Sequence, residues 1–101
     1  MKFKIITIYG EKVSAGHYKR SFELNKYLKS KNYFSCLITI HENQTIKFKK
    51  ILSQLILNKE NIDYLIFDIS NYLFFKQKRL IKSLNKLIDI YEYKIVIIDS
   101  L

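Results

Sequence analysis

The sequence predicts an α/β domain built on a parallel sheet of about four strands with three helices. Four short apolar runs, rich in β-branched and aromatic residues, alternate with three longer segments whose apolar residues recur at helical spacing. This βαβαβαβ order requires crossover connections, and right-handed crossovers give a parallel sheet. The chain has 101 residues and shows no internal repeat or low-complexity linker. We therefore expect one Rossmann-like domain over residues 1–101.

The predicted strands are the apolar runs at residues 2–9, 33–41, 62–69 and 93–99. The first, third and fourth are almost continuously apolar, which is typical of strands covered on both faces. The second run alternates and contains Cys36, the single cysteine of the chain. One cysteine cannot form an internal disulfide, and we expect Cys36 to be a small buried hydrophobic residue.

The predicted helices cover residues 17–31, about 45–58 and about 72–91. In each segment the apolar residues recur every three or four positions, as on the buried stripe of an amphipathic helix. The residues expected to face the core are Phe22, Leu24, Tyr27 and Leu28 in the first helix, Phe48, Ile51, Leu52, Leu55 and Ile56 in the second, and Leu80, Ile81, Leu84, Leu87, Ile88 and Tyr91 in the third.

The net charge of +9 comes almost entirely from lysine. The lysines are spread over all three predicted helices, mainly between the apolar positions, so they are expected to form solvated helix faces. Nucleic acid is therefore not the expected partner, although a strongly basic domain can bind it. No apolar run approaches the roughly 20 residues that cross a bilayer, and no signal peptide is evident, so a cytoplasmic protein without membrane contact is expected.

The loop between the first strand and the first helix is the candidate functional loop. The chain has no proline and only two glycines, Gly10 and Gly16, and the sequence places both in this loop. Glycine allows a positive φ or a close approach of backbone to a ligand. In open parallel sheets, ligands bind at the carboxyl ends of the strands, and the first βα loop usually contributes.

Four polar residues are predicted at this carboxyl edge: His17, His41, Asp68 and Asp99. His17 opens the first helix, where the helix dipole disfavours the imidazolium and the free amides attract anions. A neutral imidazole there can act as a general base toward water or a hydroxyl. The alternative interpretation of each of these four residues is that it has a structural role, as a helix cap, a strand end or a surface group.

Several familiar sites are not indicated. The two histidines and one cysteine have no zinc-ligand spacing, so no metal is expected. The glycine loop does not end in Lys-Ser or Lys-Thr, as a P-loop does, and it lacks the spacing of the dinucleotide fingerprint. No cofactor is therefore predicted.

The segment from Ser14 through Gly16-His17 to Arg20, followed by Leu24 and Leu28, resembles a known motif. It is similar to the G-x-G-H-x-x-R motif and leucine-bearing helix of the PseG family, the UDP-2,4-diacetamido-2,4,6-trideoxy-β-L-altropyranose hydrolases of pseudaminic acid biosynthesis. Residues 63–68 and 95–101 resemble two later strand segments of that family that carry aspartates. Ser14 stands where the motif has its first glycine.

The resemblance implies the N-terminal half of a GT-B glycosyltransferase-like architecture. It implies that His17 activates the water that displaces UDP from a nucleotide sugar, without a metal. Gly16, Arg20, Ser14, Asp68 and Asp99 would then contact the substrate. Arg20, one helical turn along from His17, could alternatively pair with Asp68. GT-B proteins hold the nucleotide mostly in a C-terminal domain, so a C-terminal domain or partner chain is expected, and the isolated chain should have little activity.

Two alternatives remain open at this stage. The chain can be a non-catalytic α/β binding or partner domain, in which case the basic helices matter more than the loop. It can also be an inactive remnant of a hydrolase.

Overall fold

The computed structural model describes residues 1–11, 15–69, 78–92 and 94–98. The strands are β1 (Lys2–Tyr9), β2 (Phe34–His41), β3 (Tyr64–Asp68) and β4 (Ile95–Ile98). The helices are α1 (Ala15–Ser30), α2 (Thr45–Leu57) and α3 (Lys78–Ile90). The predicted α/β alternation is confirmed, and the predicted start of the third helix, at 72–77, lies outside the described residues.

The four strands form one parallel sheet in the order β2-β1-β3-β4. Strands β1 and β3 are the inner strands, in agreement with their almost continuous apolar sequences. Strand β4 has an equally apolar sequence, yet it is an edge strand, and Val96 and Ile97 are each more than two-fifths exposed. The prediction that β4 is covered on both faces is therefore wrong for these two residues, because the sequence pattern does not reveal the order of strands.

One face of the sheet is covered by α2 and α3. It carries the large apolar core, which consists of Ile6, Ile8, Ile40, Phe48, Leu52, Leu55, Leu65, Phe67, Ile69, Leu87 and Tyr91. The hydroxyl group of Tyr91 donates a hydrogen bond of 2.9 Å to the carbonyl oxygen of Leu55. The apolar positions predicted for α2 are confirmed, as are those at Leu84, Leu87 and Tyr91. Ile88 is half-buried and does not belong to the core cluster, and Leu80 and Ile81 lie outside the described side chains.

The other face is covered by α1. Its apolar cluster is small and contains Ile5, Leu28 and Ile66 as buried members. The same side of the molecule holds four buried polar residues, Thr7, His17, Ser21 and Asp68. This face therefore combines a small apolar core with a polar centre near the carboxyl ends of the strands.

Helix α1 buries a different stripe from the one predicted. Leu28 is buried and Leu24 is half-buried, but Phe22 and Tyr27 are 47% and 57% exposed. The stripe instead runs through His17, Ser21, Leu24 and Leu28, which have spacings of four, three and four residues. The expectation for Phe22 and Tyr27 is wrong because apolarity alone selected the face, while two polar residues define the buried one.

Cys36 is exposed, which contradicts its predicted burial. It lies near the start of β2, an edge strand, beside the similarly exposed Phe34. Helix α2 covers β2 further along, where Ile38 and Ile40 join the core. The alternating pattern correctly places Cys36 on the same face of β2 as Ile38 and Ile40. It does not show that α2 fails to cover that face as far as Cys36.

The solvated helix faces are confirmed for the lysines whose side chains are described. The exposed lysine side chains of the three helix segments are Lys26, Lys29, Lys31, Lys47, Lys49, Lys50, Lys82 and Lys86. Within the described ranges, no helix combines the length and apolarity needed to cross a membrane.

Candidate functional site

Three of the four polar residues predicted at the carboxyl edge of the sheet lie there in the structure. Helix α1 follows β1, so its first turns lie at this edge, and His17 is in the first of them. His41 is the last residue of β2, and Asp68 is the last residue of β3. Asp99, like Ser14 of the motif, lies outside the described residues.

Asp68 is the centre of a buried hydrogen-bond network that attaches α1 to the sheet. Its side chain is 1% exposed. His17 Nδ1 lies 2.7 Å from Oδ1, and Ser21 Oγ donates to Oδ2 over 2.9 Å. Arg20 completes the network with two donors, Nε to Oδ2 at 2.8 Å and a terminal nitrogen to Oδ1. The carboxylate therefore accepts four hydrogen bonds from three residues of α1 that span little more than one helical turn.

The network fixes the tautomer of His17. A carboxylate oxygen can only accept, so Nδ1 must carry the proton in the 2.7 Å contact with Asp68. In the neutral imidazole, the basic lone pair is then on Nε2. The nearby Arg20 nitrogen, 3.4 Å from Nδ1, is a neighbour rather than a donor to it, because a protonated Nδ1 has no lone pair to accept a hydrogen bond. A histidine oriented by a carboxylate in this way has the geometry of a general base.

The electrostatics of the network favour an ionised Asp68. Burial alone would raise the pKa of the carboxyl group, since a charge is less stable away from water. Hydrogen bonds from Arg20, His17 and Ser21, together with the positive charge of Arg20, outweigh burial and lower the pKa of Asp68 below its ordinary value. The hydrogen bond to Asp68 likewise raises the pKa of Arg20. The buried charge is thus compensated within the network.

Arg20 connects the buried network with the surface. Its side chain is 41% exposed, although two of its nitrogens contact the buried Asp68. A guanidinium group has five N–H donors, and the two bonds to Asp68 use two of them. The remaining donors suit the oxygens of a phosphate or a sugar, which arginine often binds.

Gly10 lies in the predicted loop, whereas Gly16 does not. Gly16 lies within α1, in its first turn, rather than in the loop. Gly10 follows β1 and has a φ of 152°. A Cβ atom at Gly10 would come within 2.4 Å of the Glu42 side chain, and the amide of Glu42 donates to the Tyr9 carbonyl. Gly10 therefore permits close contact between the ends of β1 and β2.

His41 belongs to a separate group of contacts. Its Nδ1 accepts a 3.1 Å hydrogen bond from the backbone amide of Asn43, so it closes the turn after β2. Its ring also contacts the Tyr9 ring edge-on, with centroids 5.1 Å apart. His17 and Asp68 are brought together, whereas the described hydrogen bonds of His41 do not include either of them.

Two residues of this region were missed by the sequence analysis. Ser21 donates to Asp68 from the turn after His17, and its position four residues from His17 was a signal that both share a helix face. Thr7 pairs with Asp68 across the sheet and is fully buried, yet its hydroxyl group has no hydrogen-bond partner in the described part of the chain. A threonine inside a β-branched strand gives no sequence signal of this kind.

Among the described residues, no group of three or more histidine, cysteine, aspartate or glutamate side chains is arranged to hold a metal ion. Comparison of the chain with protein-family models, with curated proteins and with solved structures gives no match.

Proposed function

We propose that this chain is the water-activating domain of a nucleotide-sugar hydrolase, acting on a UDP-amino-sugar, with His17 as the general base. The observation that carries the proposal is the 2.7 Å contact between His17 Nδ1 and the buried carboxylate of Asp68. Gly16, His17 and Arg20, on which the resemblance to the PseG family depends, lie at the start of α1, and His17 and Arg20 both bind Asp68.

In the proposed reaction, His17, Asp68 and Arg20 each have one task. The lone pair of His17 Nε2 takes a proton from water while the water oxygen bonds to the anomeric carbon. The bond between that carbon and the UDP oxygen breaks, and UDP leaves with the electron pair. Asp68 stabilises the imidazolium that forms, so it is a positioning residue and not a substrate ligand in this scheme. The unused donors of Arg20 are suited to the phosphate oxygens.

The proposal retains the expectation of a second nucleotide-binding unit, either a C-terminal domain or a partner chain. The assay therefore belongs on the protein as its own cell makes it, with UDP release from a UDP-amino-sugar as the readout. We expect His17→Asn to lower turnover by about 10²–10⁴-fold, the range typical of a lost general base. Lys19→Gln, an exposed residue in the same region of α1, is the matched control and should retain turnover.

Two controls keep the result interpretable. Near-ultraviolet circular dichroism and urea unfolding should show that His17→Asn is folded, since a loss of activity through unfolding would say nothing about the base. Full UDP release by a folded His17→Asn variant would remove His17 from the mechanism. Absence of UDP release in the wild-type protein would remove the hydrolase function itself.

A non-catalytic binding or partner domain is the second candidate, and one observation favours it. The His17 side chain is only 2% exposed, which also suits a residue whose task is to fix α1 to the sheet. For this candidate, His17→Asn would lower the free energy of unfolding. The wild-type protein would release no UDP, so the variant would have no activity to lose. If the basic helices bind nucleic acid, the affinity should fall steeply with salt because counterions are released.

A further inference from the structure

A cavity of about 340 Å³ lies at the carboxyl edge of the sheet, beside the start of α1. Among the described residues, its walls are formed by Tyr9 at the end of β1, Tyr18 in α1 and Thr39 in β2. Both tyrosines are about two-fifths exposed, so a ligand can reach their rings from solvent. The volume lies at the lower end of the range typical of small-molecule sites.

The two tyrosine rings are held in place by neighbouring rings. Tyr9 contacts the His41 ring edge-on at 5.1 Å between centroids, and Tyr18 stacks on Phe22 at 6.1 Å. Tyr9 and Tyr18 themselves meet at an interplanar angle of 62°, with centroids 6.3 Å apart. The exposed position of Phe22, which the sequence analysis did not expect, thus has a structural consequence, because Phe22 supports a wall of the cavity.

The chemistry of these walls suits a sugar ring. An aromatic face packs against the C–H face of a pyranose, while the phenol and threonine hydroxyl groups can exchange hydrogen bonds with sugar hydroxyls. The described wall residues carry no charge, so they do not select a phosphate. Rings inclined at 62° do not form the two parallel walls that would enclose a flat nucleobase.

The position of the cavity connects it with the His17–Asp68 network. In the sheet, Thr39 pairs with Thr7, and Thr7 pairs with Asp68, so the three residues form one row on the α1 face. Two strand spacings separate Thr39 from Asp68, which is about 10 Å. Tyr18 directly follows His17 in α1. A sugar in the cavity would therefore lie on the same face of the sheet as the His17–Asp68 network.

We propose that the cavity formed by Tyr9, Tyr18 and Thr39 is the pyranose-binding subsite of this protein, with the Tyr18 ring as its platform. This inference deepens the proposed function, and it depends on that function for the identity of the sugar as part of the substrate. The binding step itself does not require His17.

The test is a calorimetric or NMR titration of the whole protein with N-acetylglucosamine, and separately with UDP. We expect Tyr18→Ala to weaken N-acetylglucosamine binding about tenfold, the scale of one lost aromatic contact. Tyr18→Phe keeps the ring and should bind within about threefold of wild type. Tyr27→Ala is the matched control, because Tyr27 is an exposed tyrosine of the same helix that is not among the described wall residues.

The outcomes separate this inference from the proposed function. Folded His17→Asn should bind N-acetylglucosamine as wild type does, even where UDP release is lost. Tyr18-dependent sugar binding in a wild-type protein that releases no UDP would support the subsite and reject the hydrolase. Unchanged binding by Tyr18→Ala, an equal loss with Tyr27→Ala, or no N-acetylglucosamine binding by the wild type would each overturn the subsite.

Discussion

The two faces of the sheet are built on opposite principles. The face under α2 and α3 is filled by a cluster of eleven buried residues, all of them aliphatic or aromatic. The α1 face has three buried apolar residues in its cluster, and the described buried polar residues of the molecule lie on its side. The same strands supply both faces, since β1 directs Ile6 and Ile8 to one side and Ile5 and Thr7 to the other.

This difference shows that the two faces of one sheet can be stabilised by different kinds of interaction. Apolar burial is non-directional, so the α2/α3 face stabilises the fold without fixing any single group within a fraction of an ångström. The α1 face depends on directional bonds to one buried carboxylate, and such bonds set the orientation of His17 and Arg20. The comparison predicts a large, pH-independent contribution from the first face and a smaller, pH-dependent one from the second.

The largest effect is expected on the apolar face. Phe67→Ala should lower the free energy of unfolding by about 3–5 kcal/mol, because it removes a fully buried ring that meets Phe48 edge-on at 6.5 Å. Urea unfolding measures the change. Phe22→Ala, which removes an exposed ring from α1, should change it by less than about 1 kcal/mol. Equal losses for the two variants would mean that the faces do not differ in the way described.

An intermediate effect with a characteristic pH dependence is expected for Asp68→Asn. The pKa of Asp68 is lowered in the folded protein, so the unfolded chain takes up a proton first as the pH falls. The stabilisation by the carboxylate is complete above the ordinary pKa of 3.8 and is lost as the pH falls through the lower, folded value. We expect Asp68→Asn to be less stable than wild type by about 2 kcal/mol at pH 7.

That difference should shrink in acid, where the wild-type carboxyl group also becomes protonated. Urea unfolding of both proteins, measured at several values between about pH 2.5 and about pH 7, follows the change. The control is Asp89→Asn, an exposed aspartate of α3, which should show no comparable dependence. A difference that stays constant from neutral to acidic pH would show that the charge of Asp68 contributes nothing to the network.

The smallest change in the free energy of unfolding is expected for a substitution of Thr7, and the sign of that change is what distinguishes the possibilities. Valine has nearly the same shape but no hydroxyl group, and the hydroxyl of Thr7 is buried without a partner among the described residues. Thr7→Val should therefore leave the free energy of unfolding unchanged or raise it by up to about 1 kcal/mol. Ser21→Ala removes a buried hydroxyl that donates to Asp68 and should lower it by about 1 kcal/mol. A loss at Thr7 as large as that at Ser21 would reveal a hydrogen bond to the Thr7 hydroxyl.

Much of this architecture was predictable from the sequence. The alternation of apolar runs and helical segments predicted the parallel sheet, and the bounds of β1 and α2 agree with the structure to within a residue or two. Hydrophobic periodicity depends only on residues a few positions apart, so helices and strands can be predicted from it without knowledge of the tertiary structure. It also placed His17, His41 and Asp68 at one edge, because the carboxyl ends of parallel strands share an edge.

The sequence by itself determined the class of fold, the helix-forming segments and the edge at which the polar groups gather. The tertiary structure decided which strands lie at the edges, which stripe of α1 is buried, and that His17, Arg20 and Ser21 all bind Asp68. The bonds to Asp68 join residues 47 to 51 positions apart in the chain. No local pattern encodes them, because the energy of a buried carboxylate depends on the donors that folding brings to it.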